Sequence, residues 1–138
     1  MVLKMKKSAV LITMLCIPSL VAGCIKQPQT TTTATENLIY SAMGTGLLGD
    51  SISRIPAKQR SLALEAEYKA LEYTRSGNTI NWATNDGVAS GTVTPGQPYR
   101  VGSQNCRQYS HSFVIRGVPQ TNRGSACRND DGSWSPLT

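Results

Sequence analysis

Between Thr79 and Trp134 the chain never runs far without a turn-forming cluster. Asn85-Asp86-Gly87, Pro95-Gly96-Gln97-Pro98, Gly117 to Gln120 and Asn129 to Gly132 divide it into short pieces. Several of these pieces alternate. Ile80 and Trp82 share one side of the first, and Arg107, Tyr109, His111, Phe113 and Ile115 share one side of the longest, with Cys106, Gln108, Ser110, Ser112 and Val114 on the other. Period-2 alternation between turn signals specifies strands joined by hairpins, and Asn-Asp-Gly is a strong hairpin turn. The expected fold is α+β, mainly β: a five- or six-stranded antiparallel meander with one helix against a face. Tyr99 to Val101 is expected to open a separate strand after the Pro95–Pro98 turn.

The helix is expected over Ser53 to Arg75. Pro56 suits a first turn, where a missing N–H costs nothing. Ala57, Arg60, Leu64, Tyr68 and Leu71 recur at helical spacing and define a face. Glu65 and Lys69 form an i,i+4 pair in the favourable order, and Gly77 is the expected residue just past the C-terminus. Glu65, Glu67 and Glu72 read as a solvated face rather than as acid–base groups.

The N-terminus reads as a delivery device. Lys4, Lys6 and Lys7 precede an apolar run from Ser8 to Pro18 that is shorter than the ~20 residues needed to span a bilayer. Leu20-Val21-Ala22-Gly23-Cys24 then resembles the lipobox of bacterial lipoproteins. That resemblance implies cleavage before Cys24 and acylation of its thiol and new amine. Each buried CH₂ contributes ~0.8 kcal/mol, so two or more acyl chains anchor stably. Ile25 at the next position, by resemblance to lipoprotein sorting in enteric bacteria, implies the outer membrane. Lys26 to Thr35 is rich in Gln, Pro and Thr and reads as a spacer. The resulting division is a signal peptide at 1–23, a lipidated cysteine and spacer at 24–36, a glycine-containing apolar segment at 37–52, and the helix with its β-domain at 53–138.

Gly44-Thr-Gly46-Leu-Leu-Gly49 matches the dinucleotide fingerprint only formally. No βαβ unit surrounds it, so that reading is rejected. Two readings stay open, a degenerate glycine zipper meeting a membrane or another helix, and a segment that packs on the domain.

Charge argues against nucleic acid as a partner. Fourteen basic residues face eight acidic ones. Removal of the three N-terminal lysines leaves eleven against eight, a mild net charge of +3. Cys106 and Cys127 are the cysteines left once Cys24 is acylated, on strands expected to be adjacent. In an oxidising compartment they are expected to be bonded, the alternative being two buried thiols. No His/Cys cluster accompanies them, so no metal and no cofactor are expected. His111, flanked by serines that point to the opposite face, reads as a partly exposed strand residue. Arg100, Arg107, Arg116, Arg123 and Arg128 are candidate contacts to an anionic partner. The competing reading is solubility with pairing to Asp86, Asp130 and Asp131, and a structural role beside the cysteines for Arg107 and Arg128.

Ala-Leu-Glu at 70–72, Trp82, Gly91-Thr-Val-Thr-Pro95, Tyr99, Cys106-Arg107-x-Tyr109, Gly124-x-Ala126-Cys127-Arg128 and Asp131-Gly132-x-Trp134 together resemble the rickettsial seventeen-kilodalton surface antigen family. The likeness runs from about Gly44 to Trp134. Family members usually carry a longer glycine zipper than the three glycines present here. The resemblance implies an outer-membrane lipoprotein with a structural or interaction role in the cell envelope and no catalytic residues. Peptidoglycan, lipopolysaccharide or an envelope protein complex are the implied partners besides the membrane. The alternative is a periplasmic binding module such as a lysozyme or protease inhibitor.

Overall fold

The computed structural model describes residues 38–137. The signal peptide, the lipidation site at Cys24 and the spacer therefore lie outside the described residues. A helical turn at 38–41 leads into a 3-10 segment, Gly46–Arg54, which kinks at Gly49. Helix α1 spans Arg60–Tyr73. Five strands follow: β1 (Ile80–Ala83), β2 (Ala89–Val101), β3 (Gln104–Ile115), β4 (Val118–Arg128) and β5 (Trp134–Pro136). They form one antiparallel sheet in the order β1-β2-β3-β4-β5, the meander that the turn spacing predicts.

Three boundaries differ from expectation, the simplest being the β3–β4 connection, where the turn is only Arg116-Gly117 and β4 pairs from Val118 instead of starting after Gln120. The helix begins at Arg60, not Ser53. Pro56 holds an extended backbone (φ −53°, ψ 133°) and Ile55 before it is extended as well, so the chain passes only through a 3-10 turn, Ala57–Gln59, before α1 starts. A proline disfavours the α conformation in its predecessor, which accounts for the late start. Pro95 to Pro98 is not a turn. Strand β2 runs straight through it, with a register shift between Pro95 and Pro98. The pairing with β1 stops at Val93, so both prolines fall where that edge of β2 has no strand partner. An unpaired edge with a bulge is where a strand tolerates missing N–H groups. Hence the sheet has five strands and not six.

One face of the sheet is covered. Helix α1 lies over β1 and β2, and Gly46–Arg54 lies over β3 and β4. The buried side of α1 is Ala63, Ala66, Glu67, Ala70 and Leu71, with Tyr68 at its edge. This is a narrower and smaller-residue stripe than the expected face through Ala57, Arg60 and Leu64. Alanines bring the helix axis close to the strands. Met43, Leu48, Ile55, Trp82, Val93, Tyr109, Phe113, Ile115, Ala126 and Trp134 complete the core. On β3 the buried set is Arg107, Tyr109, His111, Phe113 and Ile115, the odd positions as predicted, joined by Cys106. The opposite face is a lattice of hydroxyls, among them Thr92, Ser112 and Thr121 in one cross-strand row, Ser112 and Thr121 2.9 Å apart.

Candidate functional site

Two polar assemblies join α1 to the sheet. The first is buried at mid-helix. Glu67 and His111 are both fully inaccessible, with His111 Nδ1 2.6 Å from Glu67 Oε1. The indole Nε1–H of Trp82 donates to His111 Nε2 at 2.7 Å. Since an indole only donates, Nε2 must accept, so the ring proton sits on Nδ1 and points at Glu67. The Glu67 carboxylate also accepts from the Tyr109 hydroxyl at 3.1 Å and from the Leu47 N–H at 2.9 Å. Burial, and then the neighbouring Glu67, raise the Tyr109 pKa, which keeps the phenol a donor. Among the described residues every buried side-chain nitrogen or oxygen has a partner.

This assembly corrects two expectations. Glu67 is no solvated helix residue, because the alanine stripe turns it toward β3. His111 is no partly exposed strand residue, because its face of β3 is the covered one. Neither partner of the pair is near the other in sequence, and nothing in either local pattern announces it. The glycine segment completes the enclosure. Gly46 has φ +56°, and a Cβ there would sit on the Glu67 carboxylate. Its neighbour Leu47 brings the backbone N–H to Glu67, takes a hydrogen bond from the Asn122 amide on its carbonyl, and lays its side chain against Gly124.

The second assembly closes the C-terminal end of α1. A helix leaves its last carbonyls without intrahelical donors. Here Thr74 turns to an extended conformation, and Gly77 (φ +85°) lies in the following turn and not at the expected C′ position. Arg107 serves as the cap instead. Its Nη1 donates to the carbonyls of Ala70, Leu71 and Thr74 at 3.2, 2.8 and 2.9 Å. Its Nε and Nη2 donate to the carbonyl of Gly96, which the β2 bulge aims inward, and Nη2 also reaches Ser76 Oγ. No carboxylate meets Arg107 among the described residues, and burial lowers its pKa. The cation sits against the negative end of the helix, a favourable placement.

Beside it, Arg128 makes a two-pronged contact with Glu72, Nε at 2.8 Å and Nη2 at 3.1 Å, and the Trp134 indole N–H donates to the same carboxylate at 2.8 Å. The Arg128 contact, foremost, and the indole hold Glu72 below the ordinary glutamate pKa. That pairing replaces the one expected with Asp86, Asp130 and Asp131. Asp86 is lowered chiefly by the Val88 N–H and also contacts the Gln59 amide, and Asp131 is lowered by Ser133. The Glu65–Lys69 helix pair forms as the spacing predicts. Cys106 and Cys127 stand directly opposite on β3 and β4 and are disulfide-bonded, Cα to Cα 4.0 Å. The bridge thus fixes the roots of Arg107 and Arg128, each the residue after a bonded cysteine.

These groups line a cleft of about 610 Å³ between the end of α1 and the far ends of β2 to β5. Leu71, Pro98 and Trp134 give it an apolar wall, and Arg75, Arg107 and Arg128 give it charge. Past the bulge, Pro98 pairs with Arg107 and Arg100 with Asn105, so Arg100 projects on the same face. The structure therefore brings together Arg107 and Arg128 and adds Arg75, while Arg100 stands outside the lining, paired with Asn105 at its rim and donating to the Ser103 carbonyl. Arg116 (φ +51°) sits in the hairpin turn at the opposite end of the sheet, and Arg123 lies on the uncovered face opposite Ser110. Among the described residues no group of three or more His, Cys, Asp or Glu is placed to hold a metal, and no helix is long and apolar enough to cross a membrane.

Residues 69–135 match the family described as 17 kDa outer membrane surface antigen. The 17 kDa surface antigen of Rickettsia bellii is 38% identical over 78 residues, 56% of this chain and 49% of that protein. Those of Rickettsia felis (41% over 78 residues, the same shares) and Rickettsia prowazekii (40% over 77 residues, 55% and 48%) are similar to it as well. The chain spans about half the length of these relatives. No solved structure matches it.

Proposed function

From the premise that the chain, over residues 69–135, belongs to the 17 kDa outer membrane surface antigen family, we propose that it is a surface-antigen-like component of the bacterial cell envelope that binds and scaffolds without catalysis. Cys24 carries its lipid anchor, and the outer membrane is its location. One observation supports the non-catalytic reading above the others. The one buried carboxylate–imidazole pair described, Glu67 and His111, is closed to solvent on every side and its donors and acceptors are all consumed within the protein. An acid–base pair must reach a substrate proton directly or through one water, and this one instead fastens α1 and Leu47 to β3.

Metabolic labelling with palmitate, followed by separation of inner and outer membranes, tests the reading. Label in the outer-membrane fraction that disappears with Cys24→Ser supports it. Unlabelled protein in the soluble fraction with residues 1–23 still attached would remove it. Crosslinking in intact cells identifies what the β-domain touches. Stoichiometric recovery of a hydrolase would turn the reading toward an inhibitor.

A further inference from the structure

The cleft at the end of α1 has more positive charge than its own contacts consume. Arg107 faces only carbonyl and hydroxyl oxygens. Arg75 is exposed and meets no carboxylate among the described residues, and Arg100 gives one hydrogen bond, to the Ser103 carbonyl. The cleft lining contains a single carboxylate, Glu72, which Arg128 already takes up, so Arg75 in the lining and Arg100 at its rim beside Asn105 are left without one. Guanidinium forks with spare donors suit phosphate oxygens, which several forks contact at once.

A second observation says where that charge is presented. The described chain begins at the same end of the molecule. Tyr40 stacks edge-on against Tyr68 (5.6 Å between ring centres), and Tyr68 against Tyr73 (5.9 Å). Tyr68 and Tyr73 lie within electrostatic reach of Arg128. The row ends in solvent, with Leu38 71% and Tyr73 73% exposed. Tyrosines with an apolar body and a wet tip, beside arginines, have the composition of a membrane–water interface. Leu38 lies fourteen positions after Cys24, a reach of at most about 50 Å. A lipid on Cys24 therefore makes this end, where the tether enters the domain beside the unneutralised guanidinium groups, the part held within about 50 Å of a bilayer.

We propose that Arg75 and Arg100, with Leu38 and Tyr73, dock the domain onto the phosphate groups of the lipid surface to which it is anchored. The domain then lies on the membrane instead of hanging from it, with the hydroxyl-rich sheet face left free. This inference rests on the reading of Cys24 as the anchor.

The test uses the full lipidated chain in nanodiscs of phosphatidylcholine with phosphatidylglycerol, carrying a headgroup spin-labelled lipid. The two indole N–H resonances report position. Trp134 lines the cleft, and Trp82 is bound to His111 inside the fold. The expected result is loss of the Trp134 signal with Trp82 retained, recovery of Trp134 in Arg75→Glu/Arg100→Glu and at high salt, and continued loss in Arg75→Lys/Arg100→Lys. Both positions are exposed, and an unchanged Tm confirms that the variants fold. A chain that stays on the discs with Trp134 intact overturns the docking and leaves the anchor standing. A chain that stays on no disc overturns both. Inorganic phosphate without lipid that moves Trp134 to saturation, with discs adding nothing, also overturns the docking, since the cleft would then be a site for soluble phosphate.

Discussion

Helix α1 is bound to the sheet twice, at its middle by Glu67 and at its end by Arg107, Glu72 and Arg128. The two regions use similar chemistry under opposite conditions. At mid-helix one carboxylate meets three donors and water is excluded. At the helix end the guanidinium groups outnumber the carboxylate they surround, and the cleft is open to solvent. The difference teaches what each can do. A closed, fully satisfied network contributes rigidity and nothing is left over to bind. An open one with surplus cations contributes rigidity through Arg107 and the Arg128–Glu72 pair and keeps binding capacity in Arg75 and Arg100.

That contrast breaks most sharply at Glu67. Glu67→Ala strands the His111 N–H, the Tyr109 hydroxyl and the Leu47 N–H, and at ~1–3 kcal/mol for each buried unsatisfied group the loss is about 4 kcal/mol. Urea unfolding measures it. A loss within ~1 kcal/mol would mean that water reaches the carboxylate and the mid-helix site is not closed. Next in size is the disulfide. Cys106→Ser/Cys127→Ser opens a loop of sequence separation 21, at a cost of about 3 kcal/mol in the chain-entropy model. If the bridge also fixes the roots of Arg107 and Arg128, hydrogen exchange near Thr74 rises more than near Glu67.

Arg107→Lys keeps the charge but cannot span the helix carbonyls and Gly96 together, and costs about 2 kcal/mol. Equal stability of the two proteins would show that the end of α1 needs only a charge and not a fork. The smallest effect is the acid response of the Glu72 clamp. Its folded pKa lies below the ordinary value of 4.5, so its contribution is fully present above about that pH and is lost as pH falls through the lower folded value. With the Arg128 side chain 40% exposed, the contribution stays within ~1 kcal/mol. Stability of the Glu72→Gln variant followed from pH 6 to 3 checks it. The wild-type advantage should vanish in acid, and an advantage that persists would place the clamp's energy elsewhere.

How much of this was legible in the chain depends on the distance over which each signal acts. Turns and strand phase are local, so Asn85-Asp86-Gly87 and the alternation from Arg107 to Ile115 specified the meander and which β3 residues share a face, but not that this face is the covered one. The resemblance carried by the Cys-Arg pairs and the Asp-Gly-x-Trp ending reached the family. The late start of α1 was also written locally, in Pro56 and its predecessor, although the run of helix-favouring residues hid it. The fusion of two expected strands across Pro95 to Pro98 was not local. It depends on β1 beginning only at Ile80, opposite Val93, which frees that edge of β2 beyond Val93.

The candidate site lay further out of reach. Arg107 and Ala70 are separated by 37 residues, Glu67 and His111 by 44, and Arg128 and Glu72 by 56. What the chain alone settled is that these side chains exist, which residues of β3 share a face, and that two cysteines could meet. Whether a glutamate on a helix faces water or a histidine, and whether an arginine is spent on a helix end or kept for a partner, was decided only when α1 settled on the sheet. Desolvation and hydrogen-bond pairing are properties of that packed arrangement, and no residue carries them alone.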